Sequence, residues 1–215
     1  MVFVFILFDR LTVQFKEKVN YLLVVVMIYI SAIVIMKLVN IVSDDFDVVV
    51  AFIFPTAMVT MLVRLLTDDR LASLVTLLVA ASAGIVFQEN YAAVLQMDIA
   101  LYLLFGGFAS LFFMRSVEKR SHILQASTVV MAVNLVFIAF YLLMTQSDYV
   151  LSEIVFYVAA GIISGLLSGA LTMGLLPFFE SLFGILSTMR LIELSNPNHP
   201  LLKKILTETP GTYHH

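Results

Sequence analysis

The 215-residue chain contains no cysteine, so disulfides and thiolate metal sites are excluded and the redox compartment leaves no mark on it. Charge is scarce too: Asp, Glu, Lys and Arg make up 13% of the residues, against about 25% in an average soluble domain. Hydrophobic residues make up 61%, and the mean hydropathy is +1.04. A soluble globule of this size could not hide so much apolar surface, which points to a multi-pass membrane protein. The formal net charge of −3 gives no support for nucleic-acid binding. A signal peptide is missing as well. Residues 1–8, MVFVFILF, are apolar, but the basic residues follow them and no small-residue cleavage site appears. They read as the end of a truncated membrane helix.

Seven apolar segments are present, near 1–8, 19–42, 48–66, 71–87, 93–114, 123–145 and 150–182. A spanning helix needs about 20 mostly apolar residues. Lipid offers backbone groups no partner, and the runs are too long and unbroken for the alternating strands of a barrel. The expected fold is therefore all-α: a multi-pass transmembrane helical bundle over 1–188, with a short cytoplasmic helical tail over 189–215. The connections are short, so neighbouring helices should be antiparallel.

Basic residues are unevenly placed. Arg10, Lys16, Lys18, Arg64, Arg70, Arg115, Lys119, Arg120, Arg190, Lys203 and Lys204 all fall at one face if the segments alternate in direction. The opposite loops, SDDFD (43–47), QEN (88–90) and QSDYVLSE (146–153), hold neither Lys nor Arg. Only Lys37 breaks the pattern. Positively charged loops stay inside, so the basic face and the C-terminus are expected to be cytoplasmic.

Polar residues within spans carry a cost and invite explanation. Lys37 can snorkel to the outer headgroups or line a buried ion path; Asp98 belongs at the outer interface. Asn134, in the middle of its segment, suits an interhelical hydrogen bond or a ligand contact. Pro55 should kink the third segment, with the freed carbonyl satisfied by a neighbouring helix. The last segment carries Gly161, Gly165 and Gly169 at four-residue intervals, with Ser164 and Ser168 alongside. Such a smooth face suits close helix packing inside the bundle, or a homodimer contact. From Val150 to Leu182 this helix would be roughly 50 Å long, against a hydrocarbon core of about 30 Å. Its far end should emerge on the cytoplasmic side as an amphipathic continuation. Pro177 can bend it there, Glu180 would lie at the surface and Gly184 can stop it.

Beyond Gly184 the composition turns polar and is punctuated by Pro197, Pro200 and Pro210. SNPN is a turn signal, and Asn198 or His199 can cap a short helix LLKKILTE that begins at Pro200 and ends before Pro210. GTYHH would open a further helix. The stretch from Gly174 to His215, with IELSNPNHPLL and TPGTYHH, closely resembles the membrane-to-cytoplasm junction of the seven-transmembrane HD-domain hydrolases, bacterial membrane phosphodiesterases that cleave cyclic di-AMP. The resemblance implies that the bundle sits in the bacterial plasma membrane, between an extracytoplasmic domain and an HD domain. It further implies that His215 corresponds to the first metal-binding histidine of the HD motif, with His214 as second choice. The plainer alternative for both is a tag remnant. The implied cofactor is a pair of divalent transition metals, manganese or iron, held in the HD domain. One imidazole cannot hold a catalytic metal pair, so this chain alone should hydrolyse nothing.

Three functions are in play. The first is a membrane anchor that also transmits a signal to the phosphodiesterase through its last helix. The second is a small-molecule transporter, which would call for paired intramembrane charges, interrupted helices or inverted repeats. Neither a convincing repeat nor paired charges is found. The third is a purely structural anchor. The expected partners are the lipid bilayer, the HD domain and the extracytoplasmic domain, with no nucleic acid.

Overall fold

The structure is a computed structural model that describes residues 15–43, 50–87, 96–114, 120–145, 149–185, 187 and 191. Six α-helices follow one another: α1 (Phe15–Ser43), α2 (Met58–Leu66), α3 (Asp69–Val86), α4 (Met97–Phe113), α5 (Arg120–Met144) and α6 (Leu151–Phe183). A short 3-10 helix, Val50–Ile53, precedes α2. No strand occurs among the described residues, and the fold is all-α as the apolar runs require. Four of the helices are long and apolar enough to cross a membrane: α1 (over Val19–Ile41), α3, α5 and α6.

The sequence marks several helix ends. Asp68 caps α3 by accepting the Leu71 N–H at 2.8 Å, and only Thr67 and Asp68 separate α2 from α3. The Glu153 carboxylate accepts the Val150 N–H at the start of α6. α6 runs on through Pro177 and stops at Gly184, whose φ of 62° is the left-handed conformation that glycine adopts without cost. The chain then folds back. Ile185 and Ser187 are buried, and the Ser187 N–H donates to the partly buried Glu180 carboxylate at 3.3 Å.

The bundle has an apolar core, with Ile28, Met36, Phe52, Phe54, Met58 and Leu62 buried, and it also exposes apolar side chains on its outside. Leu23, Met27, Ile30, Val34, Leu38 and Ile41 recur every three or four residues along α1 and are exposed. Within the core the bundle also buries Thr56, Thr60, Thr76, Ser110, Ser127, Asn134, Ser164, Ser168 and Thr172. Lipid tails are as apolar as Leu, so large aliphatic side chains can face them without cost. Small and hydroxyl-bearing residues gather where backbones approach.

The most extensive helix contact joins α5 and α6. Gly161, Gly165 and Gly169 all lie along it, facing Ile138, Met131 and Ser127 of α5 respectively. This is a contact within the bundle. Segment 1–8 lies outside the described residues, as do the tail residues 192–215.

One span departs from expectation. The segment near 48–66 is not one kinked helix but two pieces, the 3-10 helix and α2, separated by Phe54, Pro55, Thr56 and Ala57. Proline has no N–H and drives the residue before it out of helical geometry, so a break at Phe54–Pro55 is locally cheap. It persists at the core of the bundle because side chains from two other helices, α4 and α6, bond the backbone groups around it.

Candidate functional site at the broken span

The four residues of the break are all buried, and so is every residue of α2 except the partly buried Arg64. An unpaired peptide group in that setting would cost several kcal/mol. α6 meets most of the need. The Ser164 hydroxyl donates to the Phe54 carbonyl at 2.5 Å and accepts the Thr56 N–H at 3.5 Å. One turn on, the Ser168 hydroxyl accepts the Ala57 N–H at 3.2 Å while donating to the Ser164 carbonyl at 2.8 Å. Thr172, a further turn along, donates to the Ser168 carbonyl at 2.6 Å and approaches the Met61 sulfur of α2 at 3.7 Å.

α5 contributes Asn134, which is fully buried. Its amide donates to the Ser164 hydroxyl at 3.2 Å and to the Thr56 hydroxyl at 3.3 Å, and its carbonyl oxygen lies 3.4 Å from the same Thr56 hydroxyl. α4 completes the ring of partners: the Tyr102 hydroxyl donates to the Phe52 carbonyl at 2.9 Å. The upstream side of the break is held inside the chain, where the Phe54 N–H donates to the Ala51 carbonyl at 3.1 Å. Every polar group named here has a partner, and the residues that carry them are buried.

Close approach makes this possible. A Cβ at Gly106 of α4 would collide with the Thr56 hydroxyl and come within 2.9 Å of the Asn134 carbonyl oxygen. A Cβ at Gly107 would stand 2.5 Å from Thr76 and 2.9 Å from Thr60, whose hydroxyls bond to each other at 2.7 Å across α2 and α3. Two adjacent glycines thus let α4 lie against both the break and α2. Toward the acidic end, aromatic rings close over the cluster. Phe52 packs edge-on against Tyr102 and Tyr157 at centroid distances of 4.8 and 5.6 Å, and lies 5.1 Å from Tyr141.

The structure thus brings Asn134, Ser164 and Ser168 together around one break. Lys37 and Asp98 are both exposed, near the ends of α1 and α4. His214 and His215 lie outside the described residues. Among the described residues no three His, Asp or Glu side chains come close enough to hold a metal ion. These residues do not fit the metal pair that the resemblance implies, and no catalytic step runs through them. At the basic end, Arg64 pairs with Asp69 across the α2–α3 turn.

Sequence reasoning passed over Thr56, Tyr102, Gly106 and Gly107. The Gly-Gly pair inside an apolar run was the available signal, since backbone approach is the usual reason for glycine in a span. Tyr102 carried none, because a lone tyrosine near a membrane interface is ordinary.

Comparison with known proteins adds what the geometry cannot. The family described as 7TM receptor with intracellular HD hydrolase matches residues 1–187. The cyclic-di-AMP phosphodiesterase PgpH of Bacillus subtilis is 38% identical over 208 residues, covering 97% of this chain and 29% of the relative. The protein of the same name from Listeria monocytogenes is 34% identical over 166 residues, covering 77% of this chain and 23% of the relative. The chain spans less than a third of the length of these curated relatives. No solved structure matches it.

Proposed function

The chain belongs to the family of 7TM receptors with intracellular HD hydrolase, and from that premise we propose that it is the membrane anchor and signal-transmitting module of a cyclic-di-AMP phosphodiesterase. One observation carries the reading. α6 grips the broken span through Ser164 and Ser168 and continues as one helix to Phe183, 15 to 19 residues further on. That is a rigid link of about 22–28 Å from the middle of the bundle to its basic end. A shift of the break moves α6, and α6 leads toward the tail that resembles the entrance of an HD domain. In this reading the HD domain holds a manganese or iron pair with His215 as its first ligand. The extracytoplasmic domain is the source of the signal.

Asn134→Ala in the full-length protein tests transmission. Loosening the break should change the rate of cyclic-di-AMP hydrolysis by about fivefold or more at equal membrane levels, the usual scale of coupling between sites. An unchanged rate, with equal hydrolysis when an unrelated anchor replaces the bundle, would leave the structural-anchor reading standing. An interrupted span is also a feature of carriers. Uptake by proteoliposomes would favour that reading.

In the proposed reading the basic face and the C-terminus are cytoplasmic. The absence of native cysteine makes it simple to check in this chain. Ser147→Cys should react with a membrane-impermeant maleimide in intact cells, and Thr207→Cys only after lysis. The opposite pattern would invert the topology and remove the tail from the cytoplasm.

A further inference from the structure

A second feature lies on the outer side of the aromatic rings that cover the broken span. Between α4 and α5, in the half of the bundle toward the acidic end, runs a groove of about 670 Å³. That volume falls in the range of small-molecule sites, about 300–1,000 Å³. Phe137 and Val133 line its partly buried floor; Val136, Phe140 and Met144 form a rim that is 58–71% exposed. The groove therefore opens sideways toward lipid. Its α5 wall extends from Val133 to Thr145, roughly 18 Å at 1.5 Å per residue. One leaflet of hydrocarbon is about 15 Å deep, half of the core.

Its polar end is specific in sign. Asp98, Tyr141 and Thr145 stand there, and Asp98 is exposed with no ion pair among the described residues. The connections at this end, 44–49, 88–95 and 146–148, contain no Lys or Arg. Lys37, on α1, does not line the groove. Among the described residues the carboxylate thus has no counter-charge beside an acyl-sized slot one leaflet deep.

We propose that the groove between α4 and α5 holds a bilayer phospholipid with an ethanolamine headgroup, its acyl chain on Phe137 and Val133 and its ammonium on Asp98. The primary ammonium supplies both the missing positive charge and N–H donors for the carboxylate. Phosphatidylglycerol is disfavoured by its net negative charge against Asp98. Phosphatidylcholine carries the charge without the donors.

The test is native mass spectrometry of the full chain released from nanodiscs of equal phosphatidylethanolamine and phosphatidylglycerol. The wild type should retain the ethanolamine lipid about two- to fivefold over the glycerol lipid, the scale of one exposed ion pair. Asp98→Asn should bring the ratio to about one, and Asp98→Glu should keep the preference. Val133→Trp, which fills the floor, should lower retention of both lipids. Equal retention by the wild type would overturn the proposal. So would a preference that survives Asp98→Asn, or a lipid-free dimer whose second copy covers the groove. None of these outcomes bears on transmission through the broken span, so the two readings fail separately.

Discussion

Gly165→Leu is expected to destabilise the bundle by about 3 kcal/mol or more, at or beyond the upper end of ordinary overpacking. A Cβ at Gly165 would stand 2.7 Å from both Cα and Cβ of Met131 and 2.8 Å from its nitrogen. The obstacle is the backbone of α5, which cannot rotate away as a side chain can. The helices must separate, and Asn134 and Ser164, bonded across the same contact at 3.2 Å, would separate with them. Two neighbours provide the scale. At Gly161 the first atom met is the terminal methyl of Ile138, which can move, so leucine there should cost less. At Gly174 nothing lies within 4 Å, and leucine should fall within about 0.5 kcal/mol of wild type. Denaturant titration of helical content in detergent would rank the three. Equal midpoints for the Gly165 and Gly174 variants would refute the close α5–α6 contact.

Ser164→Ala should cost about 1.5–2 kcal/mol. The hydroxyl serves three partners: the Phe54 carbonyl, the Thr56 N–H and the Asn134 amide. Its loss leaves two backbone groups of the break buried without their partners, and an unsatisfied buried group costs about 1–3 kcal/mol. Hydrogen bonds between membrane helices average only about 0.6 kcal/mol and reach about 1.7, because the unfolded chain also finds partners. Three bonds on one oxygen place this residue at the top of that scale. Ser168→Ala removes only the acceptor of the Ala57 N–H among the break's groups and should cost about half as much. Amide exchange locates the effect: the Thr56 amide should exchange faster in Ser164→Ala, while amides within α3 keep their wild-type rates. Uniform acceleration across all helices would mean that the serine matters to the whole bundle and not to the break.

Much of this was legible in the residues. Apolar run length alone specifies helices, because lipid leaves the backbone no other solution. Asp68 and Gly184 are interpretable from elementary capping chemistry. The Gly161–Gly165–Gly169 stripe announced a close contact, but spacing does not say whether the other surface is α5 or a second copy. Pro55 announced a disturbance without its size. Whether a proline kinks a helix or ends it depends on the partners that arrive from elsewhere, and Ser164, Ser168 and Tyr102 lie 47 to 113 residues further along the chain. Their convergence is a tertiary fact, invisible to any local pattern. The groove beside Asp98 was illegible for a related reason. An exposed carboxylate near an interface looks the same whether or not an apolar slot runs beneath it.

The interrupted span also sets an order on biosynthesis. Its hydrogen-bond partners on α6 follow Phe54, Thr56 and Ala57 by 108 to 111 residues. At roughly 5–20 residues per second, a ribosome delivers them roughly 5–20 seconds later. Through that interval the exposed peptide groups of the break have no kinetic route to their final bonds, so the half-made protein cannot leave this stretch alone in hydrocarbon. Maturation of the bundle therefore waits for the last helix, and the strand of polypeptide that emerges after it meets a membrane domain only then locked shut.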